Sequence, residues 1–149
     1  SFYARYKIDS EELIRKKYMK NKILILRIPG IYGGINDYNS TVNKIKNNIL
    51  KNNKIYQNSS LRSYVFINDL ISFLNIILEK RYFGTYNFCS NENYSIDHIH
   101  LSIMKKYNIS RNFHNSTNIR EDIFFNNNYL TRKFKKLKFT SFIKSLNYF

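Results

Sequence analysis

Residues 22–28 read KILILRI, an apolar run that is stopped at once by Pro29-Gly30. A strand with one wet face alternates apolar and polar positions, whereas a parallel strand covered on both faces has no reason to. The run has strand length, and proline followed by glycine cannot prolong it. A chain that carries such a strand must supply helices to both faces of a sheet, so the run predicts an α/β protein.

The flanking segments agree. Residues 3–20 carry Tyr6, Leu13, Ile14 and Tyr18 on one side of a helix, with Glu11 and Glu12 four residues ahead of Arg15 and Lys16. YGGIND, 32–37, reads as a turn-rich loop, and Ser40 or Thr41 can cap a helix running to about Leu50. SYVFI, 63–67, is β-branched and aromatic and reads as a strand. Asn68-Asp69 is then expected to cap a helix whose stripe is Leu70, Ile71, Leu74, Ile77 and Leu78. Gly84 leads into a short strand, TYNF, at 85–88, and Ser95 opens a helix with Ile96, Ile99, Ile103 and Tyr107 at helical spacing. Residues 108–126 are polar and irregular, and two short helices are expected near 127–136 and 140–147. Helix, strand, helix, strand, helix is the order of an α/β fold.

Composition matters where it could point elsewhere. The 25 basic residues against 10 acidic ones give a formal charge of +15, the footprint of a nucleic-acid binder. The lysines are scattered among abundant Asn, Ile, Tyr and Phe instead of clustered. In the densest basic run, TRKFKKLKF at 131–139, Leu130, Phe134 and Leu137 fall at helical intervals, so a solvated helix face accounts for it. A basic nucleic-acid-binding domain without catalytic activity is the alternative reading. No stretch has the length of a membrane span and no signal segment opens the chain, so a cytoplasmic protein is expected. Cys89 has no cysteine partner and reads as a buried thiol. His98 and His100 fall on different faces of one helix and His114 lies in a polar loop, so no metal site is expected. Gly30, Gly33 and Gly34 follow a strand but lack the spacing of a dinucleotide-binding loop.

One constellation carries chemistry. In FYARYK, 2–7, Tyr3 and Lys7 stand four apart on a helix, which sets an ammonium beside a phenol. A neighbouring positive charge favours phenolate, and such a tyrosine can trade a proton with a sugar hydroxyl or ketone. A lone Tyr-x-x-x-Lys is weak in a chain this rich in both residues, and Tyr18 with Lys22 is a chance match. The segments behind it add weight. FYARYKIDSEELI resembles the active-site helix of the extended short-chain dehydrogenase/reductases, the NAD-dependent epimerase/dehydratases, where Tyr-x-x-x-Lys is followed by a Glu. LILRIPGIYGG is similar to that family's next strand and Arg-Pro-x-Asn-x-Tyr-Gly-Pro loop. RSYVFINDL resembles its Arg-Asp-Tyr-Ile-His-Val-x-Asp-Leu segment, GTYNFCSNENYSI its Gly-x-Tyr-Asn strand and loop, and LKFTSFIKSL its last helix.

The resemblance spans nearly the whole chain but only the second half of the family's fold. It implies the C-terminal part of a Rossmann-like NAD(P)-binding fold plus a small mixed α/β substrate-binding lobe. Residues 1–33 would end the dinucleotide-binding domain, 34–68 and 92–149 would form the lobe, and 69–91 would return to the dinucleotide layer. The glycine-rich loop and the Ser or Thr of the catalytic triad would lie outside these residues, so the isolated chain would be inactive. By the same resemblance the cofactor is NAD or NADP and the substrate a nucleotide-sugar that is epimerised, dehydrated or reduced. Tyr3 is the acid/base. Tyr3, Lys7, Pro29 and Ile31 would touch the cofactor, and Gly30 and Arg62 the substrate, with Arg62 on its diphosphate. A homodimer is implied for the full-length enzyme. Gly30 stands where the family often has the Asn that touches the sugar, Tyr6 where it has Ser or Thr, and Gly34 where it has the loop proline.

Overall fold

The apolar run is a strand at the heart of the first of two small sheets. The computed structural model of the protein describes residues 2–34, 37, 39–115 and 121–148. Helix α1, Phe2–Lys17, is followed by a 3-10 turn at Lys20–Lys22 and by β1, Leu24–Arg27, a shorter strand than the run of seven suggests. Strand β2, Gly30–Tyr32, comes directly after Pro29. Helix α2, Thr41–Leu50, starts at Ser40, whose side chain accepts a hydrogen bond from the Asn43 amide and so satisfies one of the free donors of the first turn. Strand β3, Leu61–Phe66, runs straight into α3, Ile67–Glu79. Then come β4, Gly84–Asn87, β5, Asn93–Ser95, α4, Ile96–Lys106, α5, Asn128–Lys133, and α6, Phe142–Ser145, with a 3-10 turn at Leu146–Tyr148.

Strands β1 and β4 pair in parallel, Leu24 opposite Gly84 through Arg27 opposite Asn87. Strands β2 and β3 pair in parallel with Gly30 opposite Tyr64, and β5 runs antiparallel to β3 with Tyr94 opposite Arg62. The chain crosses between the sheets at Ile28-Pro29, returns through α3, and crosses again at residues 88–92. The crossings are tied together: the Phe88 amide donates to the Arg27 carbonyl (2.9 Å), the Ser90 amide to Tyr64 (3.3 Å), and Asn127 Nδ2 to Cys89 (2.7 Å).

Two cores result, and alternation along β3 separates them. Tyr64 and Phe66 join Tyr32, helices α2 and α4, and Phe142 in one core. Val65 points the other way, into a core made by Leu70, Phe73 and Ile77 of α3 with Tyr86, Phe88 and Leu130. Leu24 and Leu26 pack against that second core, which leaves Ile25 and Arg27 on the opposite face of β1. Among the described residues no helix is long and apolar enough to cross a membrane.

Three expectations need correcting. Asn68-Asp69 does not cap α3: the cap position is Phe66, without a side-chain bond, and Asp69 is already in the helix. The Asp69 carboxylate instead accepts from the Thr140 amide (2.8 Å) and hydroxyl (2.7 Å), tying α3 to the C-terminal segment. The loop expected at 32–37 is entered by β2, which nothing in the local pattern announces, and β5, in the stretch expected as a loop after TYNF, is equally unannounced. Residues 35 and 36 of the 32–37 loop, residue 38 just after it, and 116–120 of the irregular stretch lie outside the described residues.

Candidate active site

Helix α1 is tied to the β1–β4 pair by charged side chains. It buries no residue. Glu11 accepts both a 2.8 Å bond from Arg27 Nε and a 2.7 Å bond from Arg27 Nη2, and Arg15 donates to Thr85 Oγ1 at 2.6 Å. Arg27 ends β1, whereas Thr85 lies opposite Ile25, two residues earlier. Going from Arg15 to Glu11 therefore moves towards the carboxyl end of β1, and α1 runs antiparallel to the strand. Tyr3 lies eight residues further on, about 12 Å along the helix. The first two turns of α1 thus project past the carboxyl ends of β1 and β4, where open α/β sheets take their ligands.

On that projecting part Lys7 Nζ sits 5.4 Å from the centroid of the Tyr3 ring, so the two share a face as their spacing requires. Tyr3 is 72% exposed, open to a reactant. Arg27 pulls the Glu11 carboxyl below its ordinary pKa by hydrogen bonding, and Glu11 raises that of Arg27 in turn, so the clamp is fully charged at neutral pH.

A second group forms on the β2–β3 pair. Gly30 faces the Tyr64 ring so closely that a Cβ there would meet Tyr64 Cδ1 at 2.9 Å. Arg62 lies two residues before Tyr64, on the same face of β3. The guanidinium of Arg62 donates through Nη1 to the carbonyls of Leu61 (3.3 Å) and Glu121. Burial pushes the Tyr64 phenol up, and the Arg62 charge partly offsets this. Pro29 is half-buried at the crossing between the sheets, and Ile31 is exposed opposite Val65. Gly30 and Arg62 are thereby brought together around Tyr64, and Tyr3 and Lys7 around each other.

The histidines, Cys89 and Tyr32 have contacts of a structural kind. His100 is buried, with Nδ1 2.9 Å from the Ile96 carbonyl, and burial lowers its pKa. His98 stacks on Tyr94, and His114 lies against Tyr56. Cys89 is a buried thiol pushed up to about 11 by burial. Ser145 gives its proton to the Phe142 carbonyl (2.6 Å), so Tyr32 donates to Ser145 Oγ (3.0 Å) and its phenol, deep in the core, rises to about 12. Sequence reasoning missed Tyr64 and the Glu11–Arg27 clamp. The only signal for the clamp was Glu11 itself, four residues past Lys7.

No protein-family model and no curated protein matches the chain. Solved structures do match. UDP-glucuronic acid 4-epimerase from Bacillus cereus, in complex with NAD, superposes with a TM-score of 0.78 at 19% identity over 97% of this chain and 48% of its own. UDP-glucose 4-epimerase from Thermus thermophilus, in complex with NAD, gives 0.71 at 14% identity over 94% and 49%. The dTDP-glucose 4,6-dehydratase of Bacillus anthracis, in complex with NAD, gives 0.65 at 17% identity over 83% and 41%. The chain spans less than half the length of each of these. Its fold is the C-terminal part of the Rossmann-like fold of NAD-dependent epimerases and dehydratases, as the sequence resemblance implies.

Proposed function

We propose that this chain is the C-terminal part of an NAD(P)-dependent nucleotide-sugar epimerase, dehydratase or reductase. The observation that carries the reading is the Tyr3–Lys7 pair, stacked on the part of α1 that projects past the carboxyl ends of β1 and β4. The proposed division puts residues 1–33 and 69–91 in the dinucleotide layer and 34–68 and 92–149 in the substrate lobe, except that β2 pairs with β3 and that Leu130, Phe134 and Leu137 pack with α3 and β4. The β1–β4 pairing and the placement of α1 and α3 on opposite faces of that pair support this division.

The residues present fit one end of a nicotinamide dinucleotide. An exposed phenol and a free-standing ammonium on one helix face suit a ribose, while none of Gly30, Gly33, Gly34 and Gly84 opens a helix that could cradle a diphosphate. When bound, the dinucleotide supplies the hydride acceptor and donor. Tyr3 exchanges a proton with the sugar hydroxyl or ketone, and Lys7 holds the phenol's charge and the ribose hydroxyls. Pro29 and Ile31 supply apolar surface at the seam, on the cofactor side. Arg62, its Nη1 already anchored on two carbonyls, offers its remaining donors to the substrate diphosphate. Gly30, exposed and without a side chain, presents bare backbone to the sugar.

The test is a nitrogen-15 NMR titration of the chain with UDP. Saturable shifts are expected at Gly30, Arg62 and Tyr64, and Arg62→Ala should remove them. Shifts confined to the lysines of 131–139, fading as salt is raised, would overturn the assignment in favour of nonspecific polyanion binding.

A further inference from the structure

On the face of the β1–β4 pair opposite α1, the C-terminal half of α3 and the segment after α5 line an open cavity of about 380 Å³. Its floor is aromatic. Phe134 stands edge-on to Phe73 (5.1 Å, 90°) and to Tyr82 (5.1 Å, 89°), with Ile76 and Leu137 completing the apolar wall. Its rim is cationic: Lys80, Lys133, Lys135 and Lys136 line it, and no carboxylate does. The salt bridges among the described residues all lie on α1 and β1, so none of these lysines is paired with an acid there.

One of the four cations is held in place. Lys133 Nζ donates to Tyr86 OH at 2.6 Å, Tyr86 OH donates to the Phe83 carbonyl at 2.8 Å, and the ammonium stands 5.1 Å from the Tyr86 centroid and 5.6 Å from that of Tyr82. An ammonium has three donors, and this arrangement uses one. The others stand over a floor from which water gains little. The volume falls within the range of small-molecule sites, where an apolar lining provides affinity and a few fixed polar groups provide orientation.

We propose that this cavity binds a small acidic amphiphile, a carboxylate or phosphate monoester carried on an apolar body, with the body on Ile76, Tyr82 and Phe134 and the anion on Lys133 and its neighbours. The site is on the far side of the sheet from Tyr3 and Lys7 and is independent of the reaction assigned to them.

Calorimetric titration of the chain with decanoate and with decyl phosphate tests this, with decanol and inorganic phosphate as the two halves of the ligand. Both amphiphiles should bind one per chain, and each half alone about tenfold or more weaker. Lys135→Glu combined with Lys136→Glu alters exposed positions only, and should weaken decanoate by about tenfold. Ile76→Asp, at a position 39% exposed, should do the same by setting a carboxylate on the floor. Decanol or phosphate binding as tightly as decanoate, or either variant binding decanoate unchanged, overturns the proposal. So does binding to phosphatidylglycerol vesicles without binding of free decanoate, which would mark a membrane surface instead.

Discussion

Glu11→Gln should loosen α1 from the sheet while leaving the rest of the chain folded. The helix has little else to hold it. Its outward residues Phe2, Tyr6 and Leu13 are 89%, 71% and 67% exposed, and a helix of 16 residues is marginal in water on its own. The Glu11 carboxylate accepts two bonds from Arg27 and lies 3.6 Å from Arg15, which in turn reaches Thr85. Arg27 is 48% exposed in its side chain, so solvent screens the pair, and about 1 kcal/mol is a fair figure for a bidentate contact of this kind. That corresponds to about a fivefold fall in the ratio of docked to undocked helix. Amide hydrogen exchange reads this directly: α1 should exchange about fivefold faster, with β3 and α3 unchanged.

The pH dependence follows from the same contact. Hydrogen bonding by Arg27 holds the folded-state carboxyl of Glu11 below its ordinary value, so the undocked state takes up a proton first. The contribution is complete above about pH 4.3, the ordinary glutamate value, and is lost as the pH falls through the depressed folded value. Acid should therefore loosen α1 in the native protein and have no such effect in Glu11→Gln. Unchanged protection of α1 in the variant would mean that something else docks the helix. A uniform loss across α1, β3 and α3 would mean that the clamp serves global stability.

Gly30→Ala should cost about 1–3 kcal/mol, because the new Cβ meets the buried Tyr64 ring at 2.9 Å; an unchanged urea midpoint would refute the close approach. Asp69→Ala and Thr140→Val should be coupled by about 1 kcal/mol in a double-mutant cycle of denaturation free energies, since Thr140→Val removes the hydroxyl bond to Asp69 and keeps the amide one, and additivity would contradict the contact. Burial keeps His100 neutral when folded, so stability should be complete above about pH 6.5 and decline below it as the unfolded state binds the proton. His100→Gln should remove that slope, and a slope that persists would place the titration elsewhere.

What the sequence disclosed is what its neighbours in sequence determine. Ser40 and Ser95 were legible as caps because each accepts from an amide three residues ahead. Tyr3 and Lys7 were legible as a pair because helical period alone sets them together. Asp69 shows the limit of this logic. An acid at a helix start has an obvious local use, but its two bonds go to Thr140, 71 residues away. Glu11 fails the same way: the i,i+4 partner Arg15 is real at 3.6 Å, but the shorter contacts are with Arg27 on another element. Strands β2 and β5, three residues each, have too little length to show a period and exist because β3 offers an edge on either side.

The same division runs through the candidate site. The proposed acid/base pair sits on one helix and needs only helical geometry to form, whereas its position relative to the sheet depends on Glu11 reaching Arg27 across 16 residues of sequence. The proposed substrate side is non-local throughout, since Gly30 and Tyr64 meet only when β2 pairs with β3, and Arg62 is anchored by a carbonyl 59 residues distant. A change at Tyr3 or Lys7 should therefore alter chemistry and leave the fold intact. Changes at Gly30 or Glu11, which touch no reacting atom, should alter where the chemistry is held.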